Sequence, residues 1–350
     1  MKNLNHKIFN IFGIFAFATI IVVFSSFSIN AQVVAKPQPA EKPELPRRPQ
    51  TPKRPTKIIV NESEFPAEKS IQTESKVNIS LCISEGKITV NGWDRNEIRA
   101  FVTNGTEVGF KVLQKKEKPV WVEVLGYDPQ KIKDINVDDC LSGEEIELNV
   151  PKGSTINLKS RESETSITDV GKARVENVSG DIDLRNIANG VEAKTYEGDV
   201  TVENSNGEMT LLSTTGNILV FEVSSNEIGD IFKAKTTNGA ITLQKIGHTQ
   251  VEANSNSGSI RFNSSLIEGG RYTIGTLNGT ITLAIPQSSS CKVNATYNYG
   301  IFNSEILMKE IQKSPAGSVQ KLTATLGSGE ANLTITTFNG AIRIKKSDLK

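Results

Sequence analysis

Apolar and polar residues alternate along the second half of the chain in a pattern that repeats. In each unit, apolar residues stand at every second position up to a Thr or Ser, a turn ending in glycine follows, and two more alternating apolar residues come after it. A period of two is typical of β-strands with one buried and one solvated face. The clearest copies are VEAKTYEGDVTV (191–202), MTLLSTTGNILV (209–220), FKAKTTNGAITL (232–243), VEANSNSGSIRF (251–262), YTIGTLNGTITL (272–283) and LTITTFNGAIRI (333–344).

The spacing of these copies predicts a stack of similar turns. Weaker copies cover 173–184 and 293–304, and ISLCISEGKITV (79–90) fits the same pattern. One turn of this length cannot bury its own apolar face, whereas stacked turns bury one another. The sequence therefore predicts an all-β protein whose residues 152–346 form a β-solenoid with rungs of about 18–21 residues.

Stacking in register also predicts which residues form the core and the turns. The first apolar residue after each glycine falls in one interior column and the second falls in the next. Glycine is expected at the turn because it adopts positive φ without a Cβ clash. The predicted columns are Ile182, Val200, Ile218, Ile241, Ile260 and Ile281, beside Leu184, Val202, Val220, Leu243, Phe262 and Leu283. The predicted turn glycines are Gly180, Gly198, Gly216, Gly239, Gly258, Gly279 and Gly340.

Three regions outside the regular repeat are interpreted separately. Short β-type runs separated by turn residues over 58–151 predict a β-rich capping region with antiparallel pairing. The stretch SEILMKEIQKSPAG (304–317) has a more helical spacing and predicts a short helix or an overlying loop. The last unit (333–344) is expected to close the stack. The charged tail KKSDLK, whose last residues are 347–350, is expected to shield the open edge of that unit.

The N-terminus has the pattern of an export signal. Lys2 and Lys7 precede an almost uninterrupted apolar run, and small residues follow it, so 1–31 is predicted to be a signal peptide. The run is also long enough to remain in a bilayer as an anchor. Frequent prolines and basic residues over 32–57 predict an extended spacer. The protein is therefore expected in the periplasm, on the cell surface or in the medium, touching the membrane only through an uncleaved N-terminal segment.

Composition supports a β-fold and restricts the class of partner. Thr, Ser, Asn, Val and Ile are abundant, with 27 glycines and few aromatic residues, which suits pleated surfaces and tight turns. The 40 basic residues are balanced by 39 acidic ones. Nucleic-acid binding draws its affinity from a basic excess, so the balance argues against that class.

The chain has three cysteines, and they suit an exported protein with one disulfide and one remaining thiol. Cys82 and Cys140 lie in the same N-terminal region and are the better pair, with Cys291 left over. Three buried thiols are the alternative. The cysteines also lack the spacing of a zinc site, and no cofactor is predicted.

Several segments resemble a known bacterial family. The segment GWDRNEIRA (92–100), the turn VPKG (150–153) and the repeated T-x-x-G-x-I-x-L units are similar to the adhesin-type domain catalogued as domain of unknown function 4097. The resemblance covers 76–346. It implies a β-helix-like domain exposed in the cell envelope, with relatives often encoded near envelope-stress regulators, and it carries over no catalytic residues.

Acidic residues beside the turn glycines are the main candidates for chemistry. An 18-residue rung stacks Asp181 under Asp199 and next to Asn217, with Asp183 on the same strand. Neighbouring strands lie about 4.8 Å apart, which suits a shared calcium ion or acid–base chemistry on a glycan. The alternative is a solvated polar face. Three side chains fall short of the oxygen ligands that calcium requires, so no metal site is predicted.

His248 and the rows of hydroxyl groups complete the candidates. His248 lies between two units, where an exposed loop histidine is expected, without the base and orienting group of a catalytic triad. Thr195, Ser213 and Thr236 are expected on exposed rung faces. Such rows suit a glycan or a protein ligand, and they also suit contact with water.

Together these features favour a non-catalytic exported protein of the cell envelope whose solenoid binds a surface, a glycan or a protein. A periplasmic accessory or sensor of an envelope-stress system is the first alternative, which a retained anchor would suit. A β-helix polysaccharide hydrolase or lyase that uses Asp181, Asp183 and Asp199 is the second.

Overall fold

The computed structural model describes residues 67–113, 120–127, 140–227, 229–316 and 318–347, all within one compact unit that spans Asn61–Lys350. The regular elements in these ranges are β-strands, as the all-β prediction requires. No helix in them is long and apolar enough to cross a membrane. The predicted export signal (1–31) and spacer (32–57) lie outside the described residues.

The N-terminal strands form the first rungs and their cover. They are β1 (Ala67–Gln72), β2 (Val77–Trp93), β3 (Glu97–Thr103), β4 (Glu107–Leu113), β5 (Val120–Tyr127), β6 (Leu141–Pro151) and β7 (Thr155–Thr168). The expected antiparallel pairing holds for β1 with β3, β3 with β6 and β4 with β5. The prediction of antiparallel pairing is wrong for β2, which runs parallel to β5, β6 and β7. β2 contains the copy of the repeat at 79–90, and strands of the repeat pair in parallel.

The middle strands form regular rungs, each made of two strands that meet at a corner. They are β8 (Lys172–Ser179), β9 (Ile182–Arg185), β10 (Val191–Glu197), β11 (Val200–Glu203), β12 (Met209–Thr215), β13 (Ile218–Ser224), β14 (Ile231–Asn238), β15 (Ile241–Gly247), β16 (Gln250–Ser257), β17 (Ile260–Asn263), β18 (Arg271–Asn278) and β19 (Ile281–Ile285). Each strand pairs in parallel with its counterpart one rung away, so the chain coils into the predicted β-solenoid.

The two predicted core columns are confirmed. Residue pairs such as Ile182 and Val200, or Leu184 and Val202, are aligned in the parallel register of neighbouring rungs. All twelve predicted residues are at most 1% exposed and belong to one continuous core. Because a slip of one residue would turn every side chain of a strand to the opposite face, this burial fixes the register of the stack.

The corner glycines are needed mainly because the rungs approach closely. A Cβ on Gly258 would lie 1.9 Å from the carbonyl oxygen of Gly239, and one on Gly239 would lie 1.9 Å from that of Gly216. The expected positive φ does occur at some corners, for example 116° at Gly180. It is not found at Gly239, Gly258 or Gly279, so there the steric contact alone excludes a side chain.

A row of hydroxyl groups satisfies the glycine carbonyls inside the corner. The hydroxyls of Ser213 and Thr236 donate to the carbonyl oxygens of Gly198 and Gly216 at 3.0 and 2.9 Å, and that of Thr195 is shared between the carbonyl oxygens of Glu197 at 3.1 Å and Gly180 at 3.4 Å. The row continues through Ser255, Thr276 and Thr337. The prediction that these side chains are exposed was wrong, since Thr195, Ser213 and Thr236 are at most 6% exposed. Inside the corner they shield the glycine carbonyls from water and supply a hydrogen bond in its place.

The C-terminal strands depart from chain order. They are β20 (Cys291–Tyr299), β21 (Phe302–Ser304), β22 (Lys309–Ala316), β23 (Val319–Leu326), β24 (Ala331–Asn339) and β25 (Ile342–Lys346). The last rung, β24 with β25, is inserted between β18 with β19 and β20 with β21. The prediction that 333–344 close the stack was therefore wrong, and the rung formed by β20 and β21 lies beyond it.

The stretch 304–317 forms a strand rather than the expected helix or loop. Most of it is β22, which pairs antiparallel with β23, and β23 pairs antiparallel with β20. Pairing to β23 overrides the weak helical spacing of the sequence, because strand propensity depends on context. Lys309, Lys313 and Pro315 lie on this outer strand, and lysine and proline are typical of edges that resist further pairing.

Close packing at the corner predicts that Gly258→Ala is strongly destabilising. Its Cβ would overlap the Gly239 carbonyl oxygen, so the two rungs would have to separate, and we expect a loss of about 3 kcal/mol or more in the free energy of unfolding. Gly269→Ala is the matched control, because Gly269 has a φ of 71° and open space around it. We expect it to cost only about 1 kcal/mol in chemical denaturation. Equal losses would contradict close approach as the reason for glycine at this corner.

Removing one corner hydroxyl is expected to cost less. Thr276→Val keeps the shape of the side chain but leaves the Gly258 carbonyl without the hydroxyl that donates to it at 2.8 Å, and we expect a loss of about 1–3 kcal/mol. Thr273→Val on the same strand is the control, since Thr273 faces the solvent. Denaturant unfolding of both variants tests the difference, and no loss in Thr276→Val would contradict the role of the hydroxyl.

Candidate functional site

The predicted acidic stack is present, but its side chains bind the backbone of the next rung. Asp181 accepts a hydrogen bond from the N–H of Asp199 through Oδ1 at 2.8 Å. Asp199 accepts one from the N–H of Asn217 at 2.7 Å, and Asn217 accepts one from the N–H of Ala240 at 2.9 Å. Each side chain thus bridges two rungs just after the glycine corner, where the N–H of the residue before the new strand needs an acceptor.

This arrangement does not gather ligands or an acid–base pair. Asp199 also receives the side-chain amide of Asn217, at 3.3 and 3.2 Å from its two oxygens. Asp183 points elsewhere and forms an ion pair with Arg185 at 2.9 Å. Within the described ranges, no group of three or more His, Cys, Asp or Glu side chains is arranged to hold a metal ion.

A second row of polar side chains follows the other corner of the early rungs, and sequence reasoning missed it. Asn186 donates to Asp169 at 3.0 Å, and Asn204 donates to Asn186 at 2.7 Å. All three have positive φ, between 46° and 59°. Asn and Asp adopt this conformation more readily than other non-glycine residues, so their spacing of 17 or 18 residues is the signal that could have found the corner.

His248 is buried, so the expectation of an exposed loop histidine was wrong. Its side chain is inaccessible to solvent, packs against the ring of Phe232, and places Nε2 2.8 Å from the carbonyl oxygen of Gly207. No described residue partners Nδ1. Burial lowers the pKa of His248, although the contact with Gly207 and the charge of Asp230 oppose that shift. His248 therefore acts as a neutral packing group with one hydrogen bond.

The cysteines are placed in two different environments. Cys82 on β2 and Cys140, immediately before β6, form a disulfide. Cys291 is a buried thiol on β20, and its burial raises its pKa to about 12. A thiol with so high a pKa is a poor nucleophile at neutral pH, because the thiolate is the reactive form.

Two grooves lie on the outer face of the solenoid, one near each end of the stack. The N-terminal groove has a volume of about 450 Å³ and lies between the β4–β5 hairpin and the face formed by β2, β7, β8 and β10. Its charged lining residues are already paired with one another. The pairs are Lys111 with Glu123 at 3.0 Å, Lys159 with Glu176 at 3.7 Å and Arg174 with Glu192 at 3.5 Å.

The C-terminal groove differs in that its lining contains no charged residue. It has a volume of about 420 Å³ and lies across β16, β18, β24 and β20. It is lined by Asn254, Ser255, Asn256, Gly275, Thr276, Leu277, Thr296, Tyr297, Asn298, Val319, Thr336, Thr337 and Phe338. A volume of this size is within the range of small-molecule sites.

Exposed apolar side chains stand beside the C-terminal groove. Leu277 is 51% exposed, Phe338 is 44% exposed, and the nearby Tyr299 is 65% exposed. The rings of Tyr299 and Phe338 meet edge to face with centroids 5.8 Å apart. Sequence reasoning missed this cluster because it followed the buried positions of the repeat. The outward position two residues before each corner glycine would have shown it, since Leu and Phe occur there after three rungs that carry Thr or Asn, although Val178 and Tyr196 occupy the same position in the rungs before those.

Burial of His248 predicts how stability depends on pH. Its pKa is lower in the folded chain than in the unfolded chain, where it is about 6.5, so its contribution is complete above that value and is lost as pH falls through this range. His248→Gln keeps a donor for Gly207 but does not titrate. We expect the variant to lose less melting temperature than the parent between about pH 7.5 and about pH 5.5. Identical pH profiles would contradict this assignment.

Comparison with known proteins identifies the family. No curated protein matches the chain. A crystal structure described as that of a "putative cell adhesion protein" from Clostridium sporogenes is 13% identical, covering 81% of this chain and 100% of the other, with a TM-score of 0.23. The family model of Toastrack DUF4097 matches residues 69–345, which confirms the resemblance of the repeat units. The chain therefore belongs to the Toastrack family, DUF4097.

Proposed function

We propose that this chain is an exported, non-catalytic binding protein of the cell envelope. In this proposal the apolar segment within 1–31 directs export, the proline-rich segment 32–57 acts as a spacer, and the solenoid presents its outer face to a surface, glycan or protein. The observation that carries the proposal is the exposed cluster of Leu277, Phe338 and Tyr299 beside the C-terminal groove.

The exposure of this cluster favours binding to a partner. Three large apolar side chains are held next to one another in water, two of them aromatic. Neighbouring apolar side chains left exposed on a soluble domain are typical of interaction sites, and aromatic residues contribute strongly to such sites. The parallel ladder also keeps Leu277 and Phe338 in fixed register, because the residues on either side of them are paired. A fixed surface loses little conformational entropy when a ligand binds.

The polar side chains support a non-catalytic role. Asp181 and Asp199 accept hydrogen bonds from backbone groups of the next rung, and Asp183 is paired with Arg185. His248 is buried and keeps a lowered pKa. A general acid or base has to reach the reacting atom, whereas these carboxylates already bind groups of the protein and His248 is inaccessible to solvent.

The proposal predicts that the mature protein binds envelope material. We expect purified mature protein to co-sediment saturably with isolated cell-envelope fractions, and Phe338→Ala to reduce that binding because it removes part of the exposed cluster. Tyr196→Ala is the matched control. Tyr196 is 58% exposed and occupies the same position of an earlier rung, where it lies outside the groove.

Two outcomes would contradict the proposed function. One is the absence of co-sedimentation with any envelope fraction at micromolar protein. The other is catalytic turnover of an envelope polysaccharide that is lost when Asp181, Asp183 and Asp199 are all changed to Asn. Intact-mass analysis of fractionated cells tests the export step. A chain that retains Met1 in the membrane would favour an anchored envelope accessory, and one that starts near Gln32 would favour a released binding protein.

A further inference from the structure

We infer that the C-terminal groove binds a neutral carbohydrate chain. This inference rests on the proposed binding function and names the ligand class of its exposed cluster. It follows from four features of the groove, which are its charge, its hydrogen-bonding groups, its apolar wall and the small side chains of its floor.

The charge of the groove argues against an ionic ligand. None of its thirteen lining residues is charged, whereas 23% of the whole chain is Asp, Glu, Lys or Arg. An anionic or cationic polymer buried here would lose hydration without gaining an opposite charge, which is unfavourable. The N-terminal groove is the internal contrast, because its lining includes Lys111, Lys159 and Arg174 together with their acidic partners.

The polar groups of the groove match those of a sugar. Asn254, Asn256 and Asn298 provide amides, which both donate and accept hydrogen bonds, and Thr296 and Thr336 provide hydroxyls. Asn254 already donates to Glu252 at 2.8 Å, whereas Asn256 and Thr336 are exposed to solvent. A ligand rich in hydroxyl groups can exchange hydrogen bonds with the Asn256 amide and the Thr336 hydroxyl, whereas an apolar ligand would leave them without partners.

The apolar wall matches the other surface of a sugar. One or both faces of a pyranose ring present C–H groups, and these pack against aromatic and aliphatic side chains. Phe338 and Leu277 line the groove at the same position of adjacent rungs, and Tyr299 extends the wall through its contact with Phe338. Pockets that combine an apolar wall with a few fixed polar groups orient a ligand as well as bind it.

The floor of the groove is formed where an outward column of side chains becomes small. The parallel register aligns Lys194, Leu212, Lys235, Asn254, Gly275, Thr336 and Thr296 in successive rungs of the stack. Long side chains, two of them lysines, thus occupy this column before the groove. Gly275 and the threonines leave it open at the groove. A Cβ on Gly275 would lie 2.8 Å from Oδ1 of Asn254, so the hollow depends on glycine at this position.

Two pairs of variants test the site. Thr336→Lys fills the groove with a long side chain at the position that Lys235 occupies in an earlier rung. Thr334→Lys is its control, because Thr334 lies on the same exposed face of the strand but outside the groove. Phe338→Ala removes part of the apolar wall, with Tyr196→Ala as its control. Thermal melting verifies that each variant folds. Isothermal titration then measures binding of the mature protein to neutral polysaccharides (dextran, mannan and laminarin) and to charged ones (hyaluronan and chitosan).

The inference predicts that at least one neutral polysaccharide binds and that the charged ones bind more weakly. Thr336→Lys and Phe338→Ala should each weaken this binding about tenfold or more, and Thr334→Lys and Tyr196→Ala should leave it unchanged. Stronger binding of a charged polymer would overturn the inference, as would neutral binding that is insensitive to Thr336→Lys and Phe338→Ala.

The failure of this inference can be separated from the failure of the proposed function. Envelope fractions are treated with periodate, which cleaves sugars that carry vicinal diols, with a mixture of glucanases, which degrades 1,3-linked glucans, or with protease before co-sedimentation. Loss of binding after periodate or glucanases, but not after protease, supports the carbohydrate ligand. Loss after protease alone overturns it in favour of a protein partner, while the binding function stands. Absence of binding to untreated fractions overturns both.

Discussion

The close approach of rungs at the glycine corner is the constraint on which the rest of the fold depends. There the carbonyl of one rung lies about where the next rung would carry a Cβ, so a side chain is excluded at Gly239, Gly258 and Gly279. The same carbonyl lies in a partly buried hydrogen bond, for which an inward Ser or Thr hydroxyl of the next rung is the donor. Glycine and hydroxyl therefore recur together. Their shared register aligns the strands on both sides of the corner and places the apolar residues in continuous columns.

This coupling explains how much of the fold could be predicted from the sequence. The core columns were predicted correctly, because every rung repeats the same distance from glycine to the following apolar residues. The steric reason for glycine at the corners and the inward direction of the hydroxyl groups were not predicted correctly. Both depend on contacts between residues of neighbouring rungs, which are far apart in sequence. β7 lies within the predicted solenoid (152–346), but its sequence was not recognised as a copy of the repeat for a related reason. It carries Ser163 where most other rungs have glycine, and the Cβ of Gly180 would meet the carbonyl oxygen of that serine at 2.0 Å.

The position of the last rung could not be predicted from periodicity. The rung of β20 and β21 resembles the earlier rungs in sequence, yet it does not pair with the rung of β18 and β19 that precedes it in the chain. After the β22–β23 hairpin, β24 and β25 lie between these two rungs and pair with both. The repeat pattern determines the structure of each rung but not the order in which the rungs stack. Here the order follows from the hairpin, whose strand β23 occupies the other edge of β20 and leaves one edge free for β24. The most C-terminal strands thus complete the interior of the stack, and β22 becomes its edge.

The candidate site was less predictable than the fold because the outward positions are free of the corner constraint. Any side chain that tolerates a strand can occupy them, so they vary from ion pairs near β8 and β10 to an uncharged surface near β18 and β24. The carboxylates that first suggested chemistry, Asp181 and Asp199, lie at the corner itself and bind the backbone there. In a repeat protein of this kind, the positions that the stack leaves unconstrained are the ones that can distinguish one ligand from another. The departure of Gly275, Leu277 and Phe338 from the residues of the three preceding rungs, which begin with β12, β14 and β16, is therefore more informative about function than the repeat itself.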